Sequence, residues 1–411
     1  MDELLEKYVI TLGLLILSRL GMFIPLPGID YESFYSINRY NSALQNVITF
    51  SGHGLTFVGL FALGIVPHIN ASIFIQLVAN LIPFLQNLQK EEGECGRRKL
   101  AQITRHLALV LAIIQSFGLS LWLKTYAIKP GSAFILGTCL SLSAGFMLNL
   151  WISEQITEKG IGDGPSLLIF VGIVSHVPRL LQHEVIPYVK NTNILKNITL
   201  GFLFLTMMAG VAIIHEGTNK ILLISSKQLT KNKINTSANH IPFKVNHAGV
   251  TPIVLASTSL NLITSLCRST NNRFMWLLTN FMPLVTFQKI ISIVVYFLLV
   301  VGFSYSHGLL IVKPDEISKN LQKMETSIQG VRPGKDTTFF LRTKLQNFIL
   351  LGSILLACIA CMPLIIEITL ETTMFRTFGP ASLLISTGII LQTREQIRAL
   401  LHSKNYSELM N

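Results

Sequence analysis

The sequence predicts an all-α membrane protein: ten transmembrane helices in two inverted five-helix halves around a central pore. Three observations predict it. Only 13 % of the 411 residues are charged and mean hydropathy is +0.54, whereas an ordinary soluble domain carries roughly 25 % charged residues. The apolar residues gather into ten runs near the roughly 20 residues that cross a hydrocarbon layer of about 30 Å. Paired glycine and proline signatures also recur at equivalent places in the two halves. A soluble globular protein is excluded.

The first half, 1–190, holds apolar runs at 4–25, 56–84, 103–123, 131–151 and 164–181. The second, 191–411, holds them at 198–215, 249–267, 290–312, 345–366 and 377–391. An even number of crossings places both termini on one side. With the N-terminus inside, roughly 22 Lys and Arg fall in inside segments and about 9 outside, so both ends face the cytoplasm or stroma. The inside charge concentrates at 90–105 and in two cytosolic loops, 216–248 and 313–344. The last carries seven basic residues against Asp315, Glu316, Glu325 and Asp336. The net charge of +12 thus reflects loop orientation and anionic partners. The first residues are acidic and run into a span at about Leu4, which reads as insertion without cleavage. Five cysteines, Cys95, Cys139, Cys267, Cys358 and Cys361, lack the spacings of a disulfide framework.

The halves repeat each other. The second run carries Gly64-Ile65-Val66-Pro67 and the seventh opens with Gly249-Val250-Thr251-Pro252. The fifth starts Gly164-Pro165-Ser166-Leu167-Leu168-Ile169 and the tenth Gly379-Pro380-Ala381-Ser382-Leu383-Leu384-Ile385. Five spans per half send the second copy in from the opposite side, which defines an inverted-topology repeat. Proline interrupts a helix, and lipid tolerates freed backbone groups only where they face protein or water. Interruptions at matching places point to a central pathway, although a single proline alone reads as an ordinary kink.

Longer stretches in chain order resemble the SecY family of protein-translocase channel subunits. They are Arg19-Leu-Gly-Met-Phe-Ile-Pro-Leu-Pro-Gly-Ile-Asp30, Phe61-Ala-Leu-Gly-Ile-Val-Pro-His-Ile-Asn-Ala-Ser72 and Glu92-Gly-Glu-Cys-Gly-Arg-Arg-Lys99. They continue with Glu154-Gln-Ile-Thr-Glu-Lys-Gly-Ile-Gly-Asp-Gly164, Lys244-Val-Asn-His-Ala-Gly-Val-Thr-Pro252, and Lys313-Pro-Asp-Glu-Ile-Ser-Lys-Asn-Leu321 with Gly330-Val-Arg-Pro-Gly334. The resemblance implies a protein-conducting channel that opens across the membrane and sideways into lipid between spans two and seven.

It further implies a pore ring at Ile65, Ile69, Ile169, Val254 and Ile385, all branched aliphatics. An apolar constriction suits a conduit for unrelated chains, since it resists ions by dewetting and binds no substrate specifically. The segment 51–63 matches the family's plug, with Gly52, Gly54 and Gly59 expected to keep it mobile and weakly packed. Arg332 matches a docking site for the SecA motor and the ribosome, where its fork suits a carboxylate or a phosphate. Lys231 and Lys233 supply an expected second contact. Gln115 with Ser257 or Asn261 offers a polar latch across the lateral opening, or simple interhelical hydrogen bonding. Two departures from the family's pattern, Asp163 and Pro165, stand at the start of span five.

No enzyme is legible. Ser51-Gly-His53 lacks fixed acyl-transfer geometry, and Cys358-Ile-Ala-Cys361 lies in an apolar span without a second ligand pair, so neither catalysis nor a metal is expected. No cofactor is expected either, and the chain lacks a phosphate-binding loop, which leaves ATP use to a partner. The alternative of a secondary solute transporter shares inverted repeats, but the span centres lack a coupling carboxylate. Implied partners are a SecE-like subunit with or without a SecG-like one, the SecA motor or the ribosome, preproteins and lipid, and no DNA. Asn- and Lys-rich loops suit a plastid genome and hence a thylakoid membrane, with a bacterial inner membrane as the alternative.

Overall fold

A computed structural model describes residues 2–32, 59–79, 82, 93–180, 194–225, 240–244, 249, 252–257, 259, 285–311, 314–324, 326–328, 330–370, 382 and 385–401. Each predicted span contains helix. They are α1 (Asp2–Met22), α2 (Val66–Ala79), α3 (Gly93–Leu123), α4 (Ser132–Lys159), α5 (Gly164–Leu180), α6 (Ile194–Glu216), α7 (252–257), α8 (Val285–Ile311), α10 (Lys335–Leu370) and α11 (385–401). A further helix, α9 (Pro314–Lys323), belongs to the loop 313–344. Among the described residues four stretches are by length and composition able to cross a membrane alone, Arg98–Tyr126, Ser132–Lys159, Ile293–Lys323 and Lys335–Ile366. On α1 the exposed Leu5, Val9, Leu12, Ile16 and Leu20 recur every three or four residues, the stripe of a helix facing lipid.

The chain divides into two compact units, Met1–Asn191 with Ile389–Asn411, and Thr192–Gly388. In the first unit α3 packs against α2 and α4, and α4 packs against α1 and α5. Two hydrogen bonds tie buried polar groups across that unit: the Ser18 hydroxyl on α1 donates to Asn149 Oδ1 on α4 at 2.8 Å, and the Ile161 N–H donates to Thr11 Oγ1 at 2.9 Å. Arg105 on α3 grips Glu154 on α4 with two hydrogen bonds, 3.0 Å from Nε and 2.8 Å from a terminal nitrogen. Both side chains are partly exposed, so the pair contributes less than about 1 kcal/mol. Beyond α1, the Leu-Pro-Gly-Ile-Asp stretch is tied back: Asp30 N–H donates to Tyr126 at 2.9 Å and Ile128 N–H to Gly28 at 3.0 Å. Leu26, Ile29, Leu123 and Leu142 close a small core beneath it.

In the second unit α8 lies along α10, with Tyr296, Val300, Leu356, Ala357 and Ala360 buried. The loops 216–248 and 313–344 contain strands that the sequence did not predict. They form a three-stranded antiparallel sheet, β1 (Thr218–Ser225), β2 (His240–Lys244) and β3 (Thr326–Ile328), in the order β2-β1-β3. The register places Ile221 opposite Ile241 and Leu223 opposite Ile328. Pro242 lacks an N–H to donate and accordingly sits on an edge strand. Phe243, Leu321, Ile328, Leu341, Leu345 and Ile349 make one core under the sheet, α9 and the head of α10.

Candidate functional site

Three of the four repeated prolines stand in the first turn of a helix instead of interrupting one, and Pro380 lies outside the described residues. Pro67 is the second residue of α2, Pro165 the second of α5, and Pro252 lies within three residues of the turn at Gly249 that precedes α7. In the first turn a residue needs no N–H, so proline costs nothing there and fixes the starting φ. The residues 60–65, read from the sequence as part of a continuous span, are turns leading into α2. Both Gly64 and Gly249 take a left-handed backbone, φ +58° and +65°, which L side chains rarely adopt. At α5 the cap is Asp163, whose Oδ2 accepts from the Ser166 N–H at 3.3 Å and from the Ser166 hydroxyl at 2.5 Å. That departure from the family pattern therefore supplies a sound N-terminus. The Gly164 N–H donates to Thr157 Oγ1 at 2.9 Å, and a Cβ on Gly164 would collide with the Ser153 carbonyl, so glycine lets α5 lie close to α4.

Of the expected ring residues, Ile65, Ile69, Val254 and Ile385 are buried and Ile169 is half-buried. Ile65 and Ile69 are joined directly, the Ile69 N–H donating to the Ile65 carbonyl at 3.2 Å as α2 begins. Ile169 stands on α5 in the same unit, whereas Val254 on α7 and Ile385 on α11 belong to the second. All five present apolar side chains near helix starts.

The expectation of loose packing does not hold at Gly59. It forms a β-bridge with Pro25, its neighbour Leu60 donates to Ile24 at 2.9 Å, and a Cβ would meet the Met22 carbonyl. Gly59 is an anchor, and Gly52 and Gly54 lie outside the described residues. Ser257 is buried with its hydroxyl donating to Ile253 at 2.8 Å and Val254 at 2.9 Å, carbonyls of its own helix. Gln115 is half-buried on α3, and Asn261 lies outside the described residues.

Arg332 is exposed on a fixed turn. The Val331 N–H donates to Ile328 at 3.1 Å, and the buried Thr337 hydroxyl donates to the Arg332 carbonyl at 2.8 Å. Gly330 and Gly334 bound the turn with φ +79° and +112°. The backbone is thus held from both sides while the guanidinium projects. Lys231 and Lys233 lie outside the described residues, in the connection between β1 and β2. Because β1 pairs with β3, this connection and the Arg332 turn spring from one sheet. Sequence reasoning missed that sheet, although the short apolar run Ile221-Leu222-Leu223-Ile224, bounded by Lys220 and Ser225, has a strand's length and is too short for a span. Among the described residues no group of His, Cys, Asp or Glu could hold a metal ion, and Cys95, Cys139, Cys358 and Cys361 are free thiols.

Long apolar helices with lipid-type exposed stripes, joined to a small charged sheet domain, define a multi-pass helical membrane protein. Its fold is that of protein-conducting channels: one solved channel covers 96 % of this chain and 92 % of its own at a TM-score of 0.66 and 14 % identity. The canine Sec61 channel of a ribosome complex matches at 0.63 with the same identity and coverage. The SecY family profile matches residues 59–394. Relatives named protein translocase subunit SecY are 43 % identical in Guillardia theta, over 100 % of this chain and 97 % of the relative, and 39 % in Synechococcus elongatus, over 98 % and 94 %. The chain belongs to the SecY family.

Proposed function

We propose that this chain forms the conduit through which unfolded preproteins cross a membrane and from which sufficiently apolar segments leave sideways into lipid. The observation that carries this reading is similarity along the whole chain to relatives named as translocase subunits. Sideways release is a partition equilibrium. A central Leu contributes about 0.3 to 0.6 kcal/mol in favour of lipid and a charged residue costs about 2.5 kcal/mol or more, so exposing a nascent segment to lipid sorts anchors from secreted chain.

In this reading Ile65, Ile69, Ile169, Val254 and Ile385 constrict the pathway, and the segment 51–63 blocks it at rest. Arg332, fixed at its backbone and exposed, receives the SecA motor or the ribosome, with Lys231 and Lys233 as the second contact. SecE-like and SecG-like subunits complete the complex. Kinship with plastid and cyanobacterial relatives supports a plastid setting; the thylakoid membrane as its site, with both termini stromal, is the reading that the loop charges favour.

The test is reconstitution of the chain with a SecE-like subunit in vesicles, with SecA, ATP and a preprotein. Protected preprotein should accumulate only when motor and ATP are both present, and Arg332→Glu should abolish it at normal membrane content. Uptake of a small solute without the motor, and no protected preprotein, would refute the reading.

A further inference from the structure

Most exposed large apolar side chains of this protein sit on helix faces within the spans, where lipid covers them. Phe339 and Met324 do not. They are 74 % and 72 % exposed, and among the described large apolar residues none is more exposed than Phe339. Phe339 stands on the cytosolic head of α10, and Met324 follows directly on α9, which packs against that head through Leu321 and Leu341.

Lipid does not reach Phe339. The outward stripe of α10 is apolar at Leu350, Leu351, Ile354 and Leu355 and becomes polar at Asn347 and Thr343. From Asn347 back to Phe339 the helix rises roughly 12 Å, whereas the headgroup layer on each side is only about 5 to 8 Å deep. The ring therefore stands in water. Lys335 and Arg342, four residues before and three after, share its face and are exposed, as are Lys319 and Lys323 on α9. Asp336 flanks the other side of Phe339. A bare aromatic among cations, on helices fixed by a common core, has the composition of an interface anchor.

We propose that Phe339, assisted by Met324, is the apolar anchor of the docking surface and inserts into a carboxylate-rimmed apolar pocket of the SecA-type motor. This rests on the reading of Arg332 as the docking residue and adds to it that docking is hydrophobic as well as electrostatic. The occupant is protein and not nucleic acid, because a bare aromatic beside a Met on helices fixed by a common core has the make-up of a protein interface anchor, and a Met side chain offers no flat face for a base to stack on.

Motor affinity for the purified complex in nanodiscs, measured at low and high salt, tests this. Phe339→Ala should weaken binding 10- to 100-fold by the same factor at both salt concentrations, Met324→Ala less, and Phe339→Trp should retain affinity. Arg332→Glu should weaken binding most at low salt. Unchanged affinity for Phe339→Ala beside a defective Arg332→Glu overturns the anchor and leaves the docking site standing. Unchanged affinity for both overturns both readings. A photo-crosslinking residue at position 339 gives an independent readout: adducts with the motor support the proposal. Adducts with ribosomal RNA, or with a small membrane subunit in the absence of the motor, overturn it.

Discussion

Gly64 and Gly249 adopt the same left-handed backbone, φ +58° and +65°, and each stands three residues before a proline that opens a helix. The shared sequence repeat is thus a shared local conformation: a glycine turns the chain, a proline starts the helix, and an aliphatic residue follows within a turn.

Alanine at Gly249 should cost about 1 to 2 kcal/mol, because nothing surrounds its Cβ position and the cost is wholly that of the left-handed backbone. Asparagine, which tolerates that region, should lose less. Thermal unfolding of the detergent-solubilised complex checks the order wild type, Gly249→Asn, Gly249→Ala; equal losses would refute the conformational explanation.

Gly164→Val should destabilise by roughly 2 kcal/mol or more, since the added Cβ meets the Ser153 backbone and the two helices must part. Gly118→Ala on the open face of α3 has no such neighbour and should instead stabilise by about 0.5 to 1 kcal/mol. The same melting assay compares the pair.

Ser18→Ala leaves the buried Asn149 amide without the hydroxyl that it accepts from, at a cost of about 1 to 3 kcal/mol. Combining it with Asn149→Leu should recover part of the loss, and a double-mutant cycle measures how much. Strict additivity would show that the bond is not a coupled pair.

Tyr296 is buried on α8, and among the described residues its hydroxyl has no partner. Tyr296→Phe keeps the ring and removes the orphaned group, so the variant should unfold about 1 to 3 kcal/mol harder than wild type. A lower melting temperature would reveal a partner for that hydroxyl.

Deleting 52–58 while keeping the Gly59 bridge should raise ion conductance in planar bilayers without lowering membrane insertion. Ile65→Ser should do the same by wetting the constriction. Deletion through Gly59 should additionally destabilise the chain, because Gly59 and Leu60 hold the end of α1.

Apolar run length made the spans legible in the sequence, because hydrocarbon thickness fixes how many residues a helix needs. The glycine and proline repeats were legible for similarly local reasons. The sequence misled at Pro67, Pro165 and Pro252, where a helix breaker and a helix starter are the same residue and only the position within the turn distinguishes them. It misled again at Gly59, since glycine permits motion and close packing alike, and the Met22 carbonyl decides between them.

What the sequence determined by itself is the class: the spans follow from composition read along one dimension. Tertiary structure alone decided that β1 and β3, some hundred residues apart, pair and unite the loops 216–248 and 313–344. It also decided that Phe339 is left bare while its neighbour Phe340 joins the core beside Leu341. Strand pairing and burial depend on which distant residues arrive nearby, and no local pattern of side chains encodes that.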